Sequence, residues 1–176
     1  MTDAQVIREV LDGNDSSFRT LVQRYETQVA STVIGMLGHC PEADDVGQET
    51  FIRFYNALSK FRGDAQVGTY LTRIAINLSL NELKRRKRNY GLFINHDESM
   101  PDLADKSDHA QSGIDKELLD KALEQLEPGF KAVIVLRLID GYSTAETAEI
   151  LKLPQGTVLS RLSRAQSKLK DILRNL

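Results

Sequence analysis

Several features that define common classes of protein are absent from this chain. Its 176 residues include a single cysteine, Cys40, so a framework of disulfide bonds is excluded. No apolar run reaches the roughly 18 residues that a membrane-spanning helix needs. The first ten residues, MTDAQVIREV, lack the basic and apolar regions of a signal peptide. We therefore expect a cytoplasmic protein that folds without disulfide bonds.

Motifs for catalysis and metal binding are also absent. The sequence contains no phosphate-cradling P-loop, no HExxH pair and no nucleophile elbow, so we expect no enzymatic activity. His39 stands beside Cys40, but His96 and His109 lie far along the chain. Residues dispersed in this way do not have the spacing of metal ligands, and we expect neither a metal site nor a cofactor.

The overall charge excludes one mode of nucleic-acid binding. With a formal charge of −2 and a pI near 5.9, the chain does not coat DNA through bulk positive charge, since such domains usually have a pI above about 9. Any contact with DNA must therefore be local. The acidity lies in the middle of the chain, where residues 89–115 carry six acidic side chains and one lysine.

That acidic segment predicts a linker between two helical domains. Proline, glycine, serine and aspartate are scattered through it without periodicity, whereas helical patterns lie on both sides. We predict an N-terminal domain over residues 1–90, a flexible linker over 91–115 and a C-terminal domain over 116–176.

Residues 143–165, STAETAEILKLPQGTVLSRLSRA, predict two short helices joined by a tight turn. Ser143 and Glu146 have the spacing of a capping box, which starts a helix at Thr144. Pro154 cannot extend that helix, so the chain turns and an amphipathic second helix follows. The outer face of the second helix carries polar and basic side chains, Thr157, Ser160, Arg161, Arg164 and Lys168. This pattern is typical of a helix-turn-helix and predicts binding to duplex DNA.

The N-terminal half contains at least three helical patterns, and we expect an all-α fold. In the second pattern, Asp45, Gln48, Glu49 and Ile52 share one face because they recur at i, i+3, i+4 and i+7. Paired carboxylates also occur at metal and acid–base sites, but no histidine or third carboxylate lies nearby in sequence. We favour an exposed face that docks a protein or is merely solvated. The predicted inward positions of the second and third helices are Phe51, Phe54, Tyr55, Leu58, Leu71, Ile74, Ala75 and Leu78.

The third helix, predicted from about Gly68 to Arg88, carries an unusual polar stripe. The stripe consists of Tyr70, Arg73, Asn77, Asn81, Lys84 and Arg88. Aromatic rings stack on unpaired bases and cations follow phosphates, so this mixture is typical of surfaces that hold single-stranded nucleic acid. The closing run KRRKR suits the negative end of a helix dipole and, attached to the stripe, predicts a continued phosphate track.

These residues resemble a known family. The segment ADDVGQETFIRFYNALSKFRGDAQVGTYLTRIAINLSLNELKRRKR resembles region 2 of bacterial sigma factors of the extracytoplasmic-function (ECF) group, and residues 117–174 resemble their region 4. The resemblance covers nearly the whole chain, and the predicted linker falls where the family has one. It implies a specificity subunit that binds core RNA polymerase, reads the minus-35 element with region 4, and reads and melts the minus-10 element with region 2.

The resemblance also assigns roles by position. Asp45, Gln48 and Glu49 match residues that dock on the coiled coil of the polymerase β′ subunit, and Leu138 to Gly141 lie near the surface presented to the β flap. The loop of residues 60–67 occupies the place where the family captures a flipped base. The implied minus-10 contacts are Lys60, Phe61, Arg62, Asp64, Ala65, Tyr70, Arg73, Asn77, Lys84 and Arg88. The implied minus-35 contacts are Thr157, Ser160, Arg161, Arg164 and Lys168.

Four positions depart from the family pattern. Gly47 replaces a usually aliphatic inward residue, which weakens the helix by about 1 kcal/mol through propensity. Tyr70 replaces the common tryptophan and keeps a smaller stacking plane. Leu159 replaces a usual cation on the recognition helix, which removes one contact to DNA and suits a thymine methyl group instead. Lys152 replaces a common glycine, and we expect mild strain in the turn.

The resemblance further implies an anti-sigma factor as a partner, and a linker that runs through the polymerase toward the RNA exit path. We expect the linker acids to be attracted into a basic channel of the polymerase. These acids are Asp97, Glu98, Asp102, Asp105 and Asp108.

Two other functions stay open at this point. In a stand-alone regulator, residues 117–176 bind an operator as a dimer and residues 1–90 sense a ligand. Such a regulator needs a dimer interface that presents two recognition helices one helical turn apart, whereas a sigma subunit needs a polymerase and one such helix. An RNA-binding adaptor would use the stripe of the third helix but would leave the helix-turn-helix unexplained.

Overall fold

The structure is a computed structural model that describes residues 1–94 and 112–176. Both ranges are helical and contain no strand, so the all-α prediction is confirmed. The helices in chain order are α1 (Asp3–Leu11), α2 (Phe18–Leu37), α3 (Pro41–Ala57), α4 (Val67–Ile94), α5 (Ser112–Glu124), α6 (Pro128–Ile134), α7 (Thr144–Leu151) and α8 (Gln155–Asn175). None of them is both long enough and apolar enough to span a membrane. The five linker acids named above lie outside the described residues.

Helices α2, α3 and α4 pack against one another and form the core of the N-terminal half. Phe54 of α3 is fully buried there, and the ring centroids of Phe61 and Tyr70 each lie 5.7 Å from that of Phe54. The rings meet in the edge-to-face and tilted geometries that aromatic pairs favour. Because Phe54 lies near the end of α3 and Tyr70 near the start of α4, these contacts hold the two helix ends together.

Helix α1 was not anticipated from the sequence. Thr2 and Gln5 form a capping box at its start, a sequence signal that would have located it. Its apolar side chains Val6, Ile7 and Val10 are buried against the rest of the N-terminal half. Helix α1 is therefore part of the core that α2, α3 and α4 form.

The inward faces of α3 and α4 differ from the prediction. Tyr55 was placed inward but is 39% exposed, with its hydroxyl donating to Asp15 over 2.8 Å. In α4 the buried side chains are Val67, Leu71, Thr72, Ala75, Ile76 and Ser79, whereas Ile74 and Leu78 are half-buried. The buried face is rotated because α4 packs on α2, α3 and the C-terminal half at once. The helix also ends six residues later than expected, at Ile94.

The C-terminal half contains the predicted helix-turn-helix. The hydroxyl of Ser143 accepts the backbone N–H of Glu146, and the Glu146 carboxylate accepts the backbone N–H of Ser143, which confirms the capping box of α7. Lys152 ends α7 in the left-handed region at φ 54°, as expected for a position where glycine is usual. Helix α8 then starts at Gln155, directly after the proline.

The two halves are packed together. Helix α6 continues into a π-helical turn, Val135–Ile139, and the side chains of Val135 and Leu136 belong to the same apolar cluster as those of α2 and α4. Ile150 of α7 joins that cluster. Helices α4 and α5 also extend into both ends of the segment that was predicted as a linker over residues 91–115.

We expect Lys152→Gly to raise the free energy of unfolding by about 1 kcal/mol, because a left-handed backbone costs a residue with a Cβ atom roughly that much. The Lys152 side chain is exposed, so its removal loses few contacts. Urea denaturation followed by circular dichroism measures the change. The control Lys152→Ala keeps the Cβ atom and should stay within about 0.5 kcal/mol of the parent protein. An equal gain in both variants would contradict the assignment of strain to this residue.

Candidate nucleic-acid interface

The N-terminal part of α8 presents a polar face to solvent. Ser160 and Arg164 are exposed and Thr157 is half-exposed on this face, and the Ser160 hydroxyl donates to the backbone oxygen of Thr157 over 3.1 Å. Leu159 is 54% exposed beside them. In helix-turn-helix proteins the first residues of the second helix reach base edges in the major groove, and these side chains occupy that position.

Arg161 and Lys168 are less available to bind DNA than the sequence suggested, because both contact other parts of the protein. Arg161 is half-buried, with its guanidinium next to Gly129 at the start of α6. Lys168 pairs with Glu127 over 3.3 Å and lies 4.8 Å from the centroid of the Phe130 ring. Eleven residues of α8 separate Lys168 from Thr157, which is about 16 Å along the helix axis. Lys168 is therefore at the far end of the predicted face.

The polar stripe of α4 is only partly exposed. Asn77, Lys84 and Arg88 are exposed, as predicted for a nucleic-acid surface. Tyr70 is half-buried, and its ring meets that of Phe61 edge-on at 5.2 Å. Arg73 pairs with Glu149 of α7 over 3.1 Å, and its Nε atom is buried without a hydrogen-bond partner among the described residues.

The loop between α3 and α4 has a defined inner and outer side. Lys60, Arg62 and Asp64 are exposed, whereas Phe61 and Ala65 are half-buried. Gly63, at the tip of this loop, has φ +75°, which residues with a Cβ atom rarely adopt. The loop thus turns at the glycine, with its charged side chains outward and Phe61 packed on the core.

The basic run at the end of α4 is divided between two environments. Arg85 and Arg86 both donate to Glu82, and these ion pairs hold the pKa of that carboxyl below its usual range. Arg86 also donates to the sulfur of Cys40 over 3.0 Å. Lys84 and Arg88, on the other side, remain exposed. Within residues 1–94 and 112–176 no group of three potential ligands for a metal ion occurs.

The predicted docking face of α3 is a real surface of the fold. Asp45 and Gln48 are exposed, and Glu49 is half-exposed in a 2.8 Å ion pair with Arg53. An ion pair of this kind on a helix surface contributes only about 0.5 kcal/mol, so Glu49 is easily redirected to a partner. Ile52 is 54% exposed at the C-terminal end of this face.

A polar cluster between the two halves was missed by the sequence analysis. The Tyr142 hydroxyl accepts a hydrogen bond from the side-chain amide of Gln28 at 2.7 Å and lies 2.9 Å from the Thr72 hydroxyl. Asp140 accepts from Thr32 at 2.8 Å and from Ser31 at 3.2 Å. Nothing local in the sequence connects these residues, because their partners lie in distant helices.

Asp140, which is half-buried, and Lys131, which is buried, are ionisable groups in the same region. Burial raises the pKa of Asp140, although the hydrogen bonds from Thr32 and Ser31 oppose this shift. Burial lowers the pKa of Lys131, whose ammonium group donates to the backbone oxygen of Met36 over 3.2 Å. A lysine followed by five apolar residues, as in KAVIVL, was the sequence signal for this buried cation.

Comparisons with known proteins match both halves. The family profile described as Sigma-70 region 2 matches residues 21–89, and that of Sigma-70, region 4 matches residues 116–169. The RNA polymerase sigma-H factor of Pseudomonas aeruginosa is 30% identical, over 99% of this chain and 95% of its own. SigW, an ECF RNA polymerase sigma factor of Bacillus subtilis, is 32% identical over 97% of this chain and 96% of its own. The ECF RNA polymerase sigma-E factor of Escherichia coli is 34% identical over 97% of this chain and 94% of its own.

Solved structures show the same arrangement of helices. CnrH, in a complex with the cytosolic domain of CnrY, superposes with a TM-score of 0.70 at 26% identity and covers 98% of this chain and 97% of its own. The sigma factor RpoE of Bartonella quintana, in a complex with the anti-sigma factor NepR, superposes with a TM-score of 0.69 and covers 89% of this chain and 96% of its own. Its sequence identity is 23%, so this likeness concerns the fold alone. The family suggested by the motifs is confirmed along the whole chain, which belongs to the ECF group of RNA polymerase sigma factors.

Proposed function

We propose that this protein binds core RNA polymerase and directs transcription initiation at promoters that its two halves read. The observation that supports this most strongly is the identity of 30% to 34% with named sigma factors over at least 97% of the chain. Both DNA-reading regions and the segment between them fall within that similarity. A regulator that acts without polymerase gains no support from any feature of the described residues.

For the minus-35 element, we assign recognition to the N-terminal part of α8. Ser160 and Arg164 are exposed and have the hydrogen-bonding groups that read base edges and phosphates in the major groove. Arg161 is half-buried against α6, and we assign it to a neighbouring phosphate. Leu159, exposed on the same helix, suits the methyl group of a thymine. Lys168, paired with Glu127, is at most a peripheral contact.

For the minus-10 element, we assign base capture to the loop of residues 60–67 and strand guidance to α4. Lys60 and Arg62 are exposed cations on the loop, and Asp64 adds an acceptor for exocyclic amino groups. Tyr70 offers the exposed part of its ring for stacking, while Phe61 supports that ring from the core side. The backbone of the unpaired strand would follow Asn77, Lys84 and Arg88.

For polymerase docking, we assign the β′ coiled coil to the face of α3 that carries Asp45, Gln48, Glu49 and Ile52. This face combines an exposed apolar side chain with neighbouring hydrogen-bonding groups, and protein interfaces contain both kinds of group. Leu138 and Ile139, 53% and 41% exposed, form the second docking surface for the β flap.

An anti-sigma factor is a further proposed partner. Two proteins with this fold form such complexes or related ones: RpoE with the anti-sigma factor NepR, and CnrH with the cytosolic domain of CnrY. We expect a comparable partner to regulate this chain. Co-purification of the tagged full chain from its native cells, followed by mass spectrometry, identifies it.

Transcription with purified core RNA polymerase on a genomic promoter library tests the proposed function without assuming a promoter sequence. We expect initiation at a restricted set of promoters that depends on this protein. Tight binding of the purified protein alone to an operator, with no effect on core polymerase, would instead identify a stand-alone regulator.

Arg161→Ala and Arg164→Ala should each weaken binding of the reconstituted holoenzyme to a promoter selected in that experiment. A base-specific contact is worth about 1 to 3 kcal/mol, which corresponds to roughly a fivefold to 150-fold loss of affinity. Gel-shift titration at several salt concentrations measures the loss. Lys170→Ala, which removes an exposed cation from another face of α8, is the matched control. Equal effects of all three variants would mean that general charge, rather than this face, binds the DNA.

Gln48→Ala combined with Glu49→Ala should lower the affinity for core polymerase about tenfold or more, because truncating central interface residues costs over about 1 kcal/mol each. Surface plasmon resonance with immobilised core polymerase measures this affinity. The control pair Gln23→Ala and Glu26→Ala changes the same residue types on exposed positions of α2 and should have no effect. Assembly at the parent strength in the α3 variant would show that the docking face is misassigned.

A further inference from the structure

The exposed side of α3 does not end at Ile52. Tyr55 follows Ile52 by three residues and Gln48 by seven, so the helix places all three on one side. Tyr55 is 39% exposed, and three residues of helix put it about 4.5 Å beyond Ile52 along the axis. An exposed tyrosine therefore adjoins the exposed isoleucine, and tyrosine is one of the residues enriched in protein interfaces.

Two contacts fix the Tyr55 side chain in the free protein. Its hydroxyl donates to the carboxylate of Asp15 over 2.8 Å. Its ring meets that of Phe18 edge-on, with the two centroids 5.1 Å apart and an interplanar angle of 78°. Phe18 is half-buried and packs against the apolar core. The hydrogen bond to Asp15 also raises the pKa of Tyr55, so the phenol remains a donor at neutral pH.

Asp15 is itself held in place by α1. It begins a short 3₁₀ turn, Asp15–Ser17, between α1 and α2. The hydroxyl of Ser17 donates to the carboxylate of Glu9 in α1 over 2.6 Å. The backbone N–H of Asn14 donates to the backbone oxygen of Glu9 over 2.9 Å. These bonds fix the turn, and the turn places the Asp15 carboxylate beside the last turn of α3.

A side chain that is fixed before binding loses less conformational entropy when it enters an interface. Immobilising a side chain that is free to change rotamer weakens association by about twofold to tenfold. The Tyr55 ring avoids that loss, because its hydroxyl and its packing against Phe18 already restrict it. The contact with Asp15 thus prepares an exposed aromatic ring for a partner.

We propose that the surface of α3 that docks on core polymerase continues to Tyr55, and that Asp15 is a positioning residue that holds the Tyr55 ring in its binding orientation. The inference rests on the proposed docking of α3, whereas the contact between Asp15 and Tyr55 does not. Helix α1 then contributes to docking indirectly, because Glu9 fixes the turn that carries Asp15.

A direct contact between Asp15 and the polymerase is the alternative, since Asp15 is exposed. Such a contact would depend on the charge of the carboxylate, whereas positioning requires only an oxygen that accepts the hydrogen bond from Tyr55. Asp15→Asn keeps that oxygen and removes the charge. Asp15→Ala removes both, so this pair of variants separates the two roles.

Surface plasmon resonance with the full chain and immobilised core polymerase tests the proposal. We expect Asp15→Ala and Tyr55→Phe each to weaken binding about twofold to tenfold, and Asp15→Asn to bind like the parent chain. The double variant Asp15→Ala with Tyr55→Phe should lose no more than either single variant, because all three lack the same hydrogen bond. Tyr55→Ala, which removes the ring, should weaken binding by more than about fivefold.

Asp12→Ala and Tyr90→Phe are the matched controls. They remove an exposed carboxylate at the end of α1 and an exposed phenol hydroxyl near the end of α4, and neither should change the affinity. Circular dichroism verifies that each variant is folded. If Tyr55→Ala does not fold, Tyr55→Leu replaces it, because leucine also removes the ring and favours a helix.

Three results would overturn the proposal. Equal losses in Asp15→Asn and Asp15→Ala would show that the charge itself acts, and additive losses in the double variant would show that Asp15 acts independently of Tyr55. Parent affinity in a folded variant without the Tyr55 ring would end the docking surface at Ile52. The variant Gln48→Ala with Glu49→Ala, measured alongside, separates this outcome from a misassigned face, because in that case it too would bind at the parent strength.

Nuclear magnetic resonance of the free chain tests the positioning contact without polymerase. The carbon resonance of the Tyr55 Cζ atom, identified by its loss in Tyr55→Phe, responds to hydrogen bonding of the phenol. We expect this resonance to shift in Asp15→Ala and to return toward its parent position in Asp15→Asn. An unchanged resonance in folded Asp15→Ala would overturn the positioning role of Asp15 whatever the affinities.

Discussion

The close approach of α2 to the π-helical turn at Gly35 and Val135 is the contact on which the arrangement of the two halves depends. Because no Cβ atom separates them, the side chains of the turn enter the core that α2 shares with α3 and α4. The same approach brings Tyr142 and Asp140 within hydrogen-bond distance of α2. One missing side chain therefore permits both the apolar and the polar part of the contact.

Pairing with carboxylates limits the availability of some cations of this nearly neutral chain to nucleic acid. Arg85 and Arg86 both pair with Glu82, and of the two only Arg86 is half-buried, while Arg85 stays exposed. Arg73 is held by Glu149 across the contact between the halves. Exposed cations remain on α4, on the adjacent loop and on α8, and also on α1, α2, α3 and α5.

The exposure of the candidate site residues was predicted correctly where it follows from local periodicity and less well where tertiary packing intervenes. The exposed face of α3 and the outer face of α8 came from helical spacing alone. The spacing did not reveal that Tyr70 packs on Phe61, because an aromatic side chain of a loop carries no periodic signal. The spacing also placed Tyr55 inward, whereas this side chain is 39% exposed and bonds to Asp15.

The sequence by itself determined the all-α class, the capping box at Ser143, the strained turn at Lys152 and the family, because each depends on residues a few positions apart or on matched motifs in order. Only the tertiary structure decided how the halves meet. Gln28 and Tyr142 are separated by 114 positions, and their hydrogen bond leaves no pattern in either neighbourhood. Contacts of this kind arise from the shapes of two completed cores, which no local propensity or spacing encodes.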